Sequence, residues 1–571
     1  MNAVALLAVL ALIVGVAFWT HRRIRGRVGS DDRQSALIRL IVLGLLLASS
    51  ILVTVGVGGL LERLFGLGST LVRRGASDLA RDLAFVVVGG PAATLLWSSL
   101  TSRLRSSTTE RRSMLWGLYL GTALTLSLVV AAVHAIALLA DLIGPDPADL
   151  ARNGAGLIAW GSFWLWHRRI WAEPDLKPGT LPNLPILLGS AFGLVVGATG
   201  VGLALGSLLG DAYGALGGTV IAERGSTLDD GVAAAAVGAA IWVWHWWLHG
   251  RHLDPRGGWL LHTLGLGVMG GLVTALTAVG SVVFALLTWW FAPPRGVTAA
   301  THFDTIPGAV TALVVGGGVW AYHRAVVRDP SRTDVTEPDR AARYLQAGIG
   351  LAAAAGGLGV VVASIFQSLA GPVATVGGAT ETLLAGITAL GVGGPLWALT
   401  WRDLQRAAAA DPATELTGTW RRVYLVVLFG VAGIAALITL LVIAFRLFEA
   451  VLEGTSMAAF LDSSSTALGI LFASGTVAGY HLVVWRSDRA SGFAPRRRLG
   501  TVHLVTGADD TDLAAAVDAA TDVKVVRWLA ADTVEVPRSE LAEALTTIDA
   551  ERVLVLPAGD DRVRIVPYRP A

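Results

Sequence analysis

The chain has 571 residues, 54% of them hydrophobic and only 15% charged, where soluble domains carry roughly 25% charged residues. The shortfall argues against a soluble globule and for a membrane protein. The net charge of +2 identifies no partner by itself, and no nucleic-acid partner is expected; the absence of cysteine excludes disulfides, thiolate metal sites and cysteine nucleophiles.

A helix crosses a bilayer with about 20 predominantly apolar residues. In chain order, thirteen segments are predicted to do so: 3–19, 37–61, 83–101, 113–139, 154–171, 184–209, 231–248, 259–291, 306–327, 341–370, 382–401, 420–445 and 466–485. The first has no basic residue ahead of its apolar run and "HRRIRGR" behind it. That polarity is the reverse of a cleaved secretory signal, so it reads as an uncleaved span with its N-terminus outside.

Orientation follows from the basic residues. The loops after odd-numbered spans hold 24 Arg and Lys, those after even-numbered spans hold 8, and the remaining 12 follow the last span. The positive-inside rule therefore places the odd-numbered loops and the C-terminus in the cytoplasm of a multi-pass cell-membrane protein. Every Arg, Lys, Asp and Glu falls in a loop, near a span end or in the tail. Charges deep in a bilayer mark ion paths and proton relays, and none is expected here. His134, in "LVVAAVHAIALLA", is the one mid-span ionisable group. It is read first as a neutral histidine bonded to a neighbouring helix and second as a functional intramembrane site.

Aromatic stretches recur where odd-numbered spans end: "FWTHRR" (Trp19, His21), "WLWHRR" (Trp166, His167), "WVWHWW" (Trp244, His245), "WAYHRA" (Trp320, His323) and "AGYHLVVW" (His481, Trp485). Two further spans carry "GGP" with Trp six residues after the proline, Pro91 to Trp97 and Pro395 to Trp401. Placing Ser98 and Arg402 in register with the histidines gives steps of 77, 69, 78, 78, 79 and 79 residues. A near-constant period signals internal duplication. The predicted unit is a helical hairpin, with six hairpins following one lone helix. The Trp, His and Arg side chains are read as interfacial anchors, because indole rings favour the headgroup layer. A metal or haem held by converging histidines is the alternative, as is a local site at His245, His249 and His252 if the helix runs that far. No cofactor is predicted.

Glycines recur every fourth residue at 189, 193 and 197 and again at 202, 206 and 210, a spacing that lets helices pack closely in lipid. After a basic linker, 487–499, residues 500–571 are predicted to form a small α/β cytoplasmic domain. Its strands are "TVHLV", "VKVVRWL", "ERVLVL" and "DRVRIVPY", and its helices "DTDLAAAVDAAT" and "PRSELAEALTTI". The "VTGADDTD" turn lacks the glycine spacing and the lysine of a phosphate loop.

The fold class is thus an α-helical polytopic membrane protein over 1–486 with an α/β tail. The "GGP…W" and "WHRR"-like hairpin ends, with this tail, resemble actinobacterial multi-pass proteins built from tandem copies of a helical membrane domain of unknown function. That resemblance implies a polytopic fold and no activity. No catalytic constellation is recognisable. The expected function is a membrane scaffold or sensor, embedded in the lipid bilayer, that presents residues 500–571 to a cytoplasmic protein partner. The alternative is a transporter or channel for a neutral or apolar substrate; a membrane enzyme or haem protein ranks third.

Overall fold

A computed structural model describes residues 30–67, 75–144, 149–217, 225–332, 336–371, 378–491, 500–506, 524–529, 545, 550, 552–557 and 563–568. The predicted first span, with Trp19 and His21, and both predicted tail helices except Leu545 lie outside the described residues.

Twelve long helices account for most of them. These are α1 (Ser30–Phe65), α2 (Ala76–Ser106), α3 (Met114–Ile143), α4 (Leu150–Ala172), α5 (Leu184–Leu216), α6 (Gly225–Trp242), α7 (Gly258–Phe291), α8 (Ile306–Val327), α9 (Thr336–Ala370), α10 (Gly378–Ala410), α11 (Thr419–Glu453) and α12 (Met457–Ala490). Among the described residues, eleven helical segments are long and apolar enough to cross a membrane. α4 is not among them; Arg152, Arg168 and Arg169 dilute its apolar run. Many helices outrun the predicted spans, because helical hydrogen bonding continues past the apolar stretch into polar sequence. Charges expected in loops therefore sit within helices. Asp82, on α2, is buried beside Arg63 and Arg81. α2 and α10 also run unbroken through Pro91 and Pro395.

Consecutive helices pair as hairpins: α1 with α2, α3 with α4, α5 with α6, α7 with α8, and α11 with α12. The hairpins join in a repeated way, α1 against α4 and α5 against α8. α9 meets α12 where Gly359 faces Gly469. Each group of four helices thus packs its first helix on its fourth. The glycine stripe of α5 works within the chain, since Gly193 and Gly197 lie against the backbone of α6 at Trp242 and Gly238. Such close approach supplies the van der Waals contact that drives helix association in lipid.

The chain divides into two compact units, Met1–Ala342 and Arg343–Ala571. In the second, all four predicted tail strands form: β1 (Thr501–Thr506), β2 (Lys524–Leu529), β3 (Arg552–Pro557) and β4 (Val563–Pro567). The sheet order is β2-β1-β3-β4, parallel except for the β3–β4 hairpin. Strand alternation gives it one sealed face, with Val502, Leu504, Val553 and Val555 fully buried.

Candidate functional site

At one end of each four-helix group, aromatic and imidazole rings gather from the second, third and fourth helices. The third helix opens with two of these residues three apart, and so on one face: Trp116 and Tyr119, Trp259 and His262, Arg421 and Tyr424. The fourth helix supplies an aromatic followed by histidine: Trp166–His167, Tyr322–His323, Tyr480–His481. The second helix supplies indoles: Trp97 in the first group, Trp242 with Trp246 and Trp247 of the turn that continues α6 in the second, and Trp397 and Trp401 in the third.

The geometry repeats closely. Trp97 and Trp116 lie 6.5 Å apart at 34°, and Trp246 and Trp259 lie 6.2 Å apart at 34°. In the third group the Arg421 guanidinium takes that place, 5.6 Å over the Trp401 ring, a cation–π contact. The second-helix indole donates its N–H to the tyrosine before the histidine twice, Trp246 to Tyr322 at 3.1 Å and Trp401 to Tyr480 at 2.7 Å. In the first group Trp97 meets Trp166 edge-on at 5.1 Å.

These contacts correct the register assumed from spacing. Trp246, rather than Trp244, stands with Trp97 and Trp401. Val243–Trp247 form a π-helical turn, which rotates the residues after it relative to an α-helical count. His245 therefore faces elsewhere, onto Gly189 of α5, with Trp244 edge-on to it at 4.4 Å. The same turn, followed by a 3-10 turn at Gly250–His252, breaks the α-helical face that would have aligned His245, His249 and His252. His249 Nδ1 instead bonds the Trp244 carbonyl at 2.7 Å, and His252 accepts from Arg251.

Four histidines share one local device. His167, His245, His323 and His481 each give the Nδ1 proton to the carbonyl four residues earlier, at 3.0, 2.8, 2.7 and 2.8 Å. That bond fixes the tautomer and leaves Nε2 as an acceptor. In the first group Tyr119 donates its hydroxyl proton to His167 Nε2 at 3.2 Å. In the second, His262 replaces tyrosine, its ring 5.6 Å from that of His323. His262 Nδ1 faces the Ser190 hydroxyl at 3.4 Å. In the third, Tyr424 and His481 are 5.6 Å apart.

The candidate anchors are thus placed unevenly. His167, His245, His323, His481 and Trp401 are buried against neighbouring helices; Trp97, Trp166, Trp244, Trp320 and Trp485 are half-buried; Arg402 is exposed. His134 is half-buried and donates from Nδ1 to Asn153 of α4 at 3.4 Å. Asn153 in turn donates to Asp141 at 2.9 Å. Among the described residues no three His, Asp or Glu side chains converge to hold a metal.

Charge accompanies the clusters. Arg324, beside His323, pairs with Asp339 at 2.9 Å. Arg421 is buried, clasps both Asp488 oxygens at 2.7 and 2.9 Å and donates to Gln405 at 3.1 Å. The third-helix pairs and Trp246 escaped the sequence reading. Their shared i, i+3 spacing at the start of the third helix of each group was the one available signal, and the change of residue type from group to group hid it.

A second feature lies away from the rings. In the last four-helix group, α9, α11 and α12, with Thr382 of α10, border an apolar cavity of about 530 Å³. Its α9 wall includes Ala352, Ala355, Gly356, Gly359 and Ala363.

The model of a family described as "Domain of unknown function (DUF5671)" matches the chain three times in tandem, over residues 51–165, 183–318 and 340–476. The matches cover more than half of the chain, which belongs to this family. Each falls on one four-helix group, so one family unit corresponds to two hairpins. No curated protein and no solved structure matches the chain.

Proposed function

We propose, taking that family membership as the premise, that the chain is a non-catalytic membrane scaffold or sensor. In this reading thirteen spans, a lone helix and six hairpins, hold the N-terminus outside and display residues 500–571 to a cytoplasmic protein. The observation that carries it is the second face of the sheet. Opposite the sealed valines, His503 packs edge-on against Trp528 at 5.0 Å and Tyr568 at 5.5 Å, and Trp528 is 51% exposed. Exposed aromatic residues of this kind are characteristic hot spots of protein interfaces. The ring clusters support the same reading: many of their polar atoms bond backbone carbonyls or one another across helices, as joints do.

Affinity purification of the full chain, of a form lacking residues 500–571 and of Trp528→Ser tests it. A protein captured by the full chain and lost with both variants is expected. An identical partner list from all three would remove the docking role.

The cavity beside α9 favours a second reading, passage or carriage of a neutral or apolar molecule. Single cysteines at Ala352, Gly356 and Ala363, labelled from each side, test that reading. Water access along this face is expected, and a face closed to reagent contradicts it.

A further inference from the structure

The cavity of the last four-helix group is long, and its chemistry changes along its length. Leu351 and Gln367 both line it from α9. Sixteen residues separate them, roughly 24 Å at the 1.5 Å helical rise, most of the thickness of one hydrocarbon core. The α9 wall between them is largely alanine and glycine, which bring at most a methyl group into the space. α12 touches α9 at Gly469 and Gly359, and α11 lines the other side of this half-open space with Leu428, Val431, Ala432 and Ala435.

Polar side chains concentrate toward one end. Gln367 lies eight residues past the Gly359 crossing. Gly386 of the antiparallel α10 packs on Gly357 and Val361, so Thr382, four residues earlier, sits toward Gln367. Thr466, three residues before Gly469 on the antiparallel α12, lies on that side too. Ser364 and Ser474 also line the cavity, and their hydroxyls donate to the carbonyls of Val360 and Ile470 at 2.9 and 2.6 Å. No Arg, Lys, His, Asp or Glu is among the lining residues.

We infer that this cavity binds one hydrocarbon chain of a lipid with an uncharged, hydroxyl-bearing head. The chain lies along the Ala–Gly wall of α9, and the head meets Gln367 and Thr466. The volume is in the range of small-molecule sites, about 300–1,000 Å³, which combine apolar walls with a few polar groups that fix orientation. A carboxylate or phosphate head would find no cation among the lining residues, and a buried unpaired charge is costly. Neutral amide and hydroxyl groups suit hydroxyls. The inference rests on the second functional reading only for its substrate class: a bound lipid need not be moved.

The full chain, reconstituted in phosphatidylcholine nanodiscs, is exposed to a monoacylglycerol carrying a diazirine in its chain, and labelled peptides are mapped. Saturable labelling within 351–367 and 466–477 is expected. Unlabelled monoacylglycerol should compete at about tenfold lower concentration than oleic acid or phosphatidylglycerol, a difference of about 1.4 kcal/mol. Ala355→Trp and, from the opposite wall, Ala435→Trp should each abolish that labelling while leaving labelling of the exposed face of α11 unchanged, which also reports a folded bundle. Equal competition by oleic acid would overturn the neutral head. Unsaturable labelling spread over all lipid-facing helices would overturn the site. A leaflet-transfer assay separates the two claims: labelling without transfer keeps the site and removes transport.

Discussion

Tyr119 gives its hydroxyl proton to Nε2 of His167 across 3.2 Å, joining α3 to α4 through two buried side chains. At the matching place in the second family unit, His262 and His323 bring two acceptors together, and each Nε2 lacks a protein hydrogen-bond partner.

That contrast predicts opposite effects for two conservative substitutions. Tyr119→Phe strands His167 Nε2 in the interior and should cost about 1–3 kcal/mol, the penalty of an unsatisfied buried polar group. His262→Tyr supplies the missing donor, so thermal melts in detergent should place it at or above the parent and Tyr119→Phe clearly below. A melt of Tyr119→Phe that overlays the parent would show that the bond is no joint.

Two glycines separate packing from propensity. A Cβ on Gly267 would overlap the ring carbons of His323, whereas one on Gly318 meets nothing within 4 Å. Gly267→Ala should therefore destabilise by about 1–3 kcal/mol, the usual cost of overpacking. Gly318→Ala should be neutral or gain up to about 1 kcal/mol through helix propensity. Equal melting of the two variants would contradict the ring-on-backbone contact.

Buried Arg421 and half-buried Asp488 tie the start of α11 to the end of α12. Removing one partner leaves an uncompensated charge and should cost about 3–5 kcal/mol. Arg421→Met and Asp488→Leu should each be severe, and the double variant milder than either. An additive double variant would mean that the two charges are not coupled.

Much of this was legible in the sequence. Apolar runs of bilayer length located the long helices, and period-two alternation located the four strands. The recurring Trp and His residues pointed to a repeat and to the helix ends where the clusters form. What the sequence concealed has physical causes. A seven-point spacing pattern assumes an unbroken α-helical count, and the π turn at Val243–Trp247 moved Trp246 into the place assigned to Trp244. Composition gave the rings an interfacial role but not a direction. The backbone bond from each Nδ1 and the glycine opposite His245 or His323 turn those imidazoles toward neighbouring helices. Trp116–Tyr119, Trp259–His262 and Arg421–Tyr424 differ too much in residue type to stand out as one motif. They become equivalent only when their contacts are compared. The cavity has no signature beyond alanine and glycine, which are frequent throughout the helices.

The central claim is a bundle threaded through the bilayer with its sheet domain on the cytoplasmic side. The cysteine-free chain allows a direct measurement at the two ends of α12. Thr455→Cys and Ser491→Cys are each exposed to a membrane-impermeant maleimide on intact cells, then after permeabilisation. The account predicts labelling of Thr455→Cys on intact cells and of Ser491→Cys only after the membrane is opened. Labelling of Ser491→Cys from outside, or of both from the same side, would contradict it.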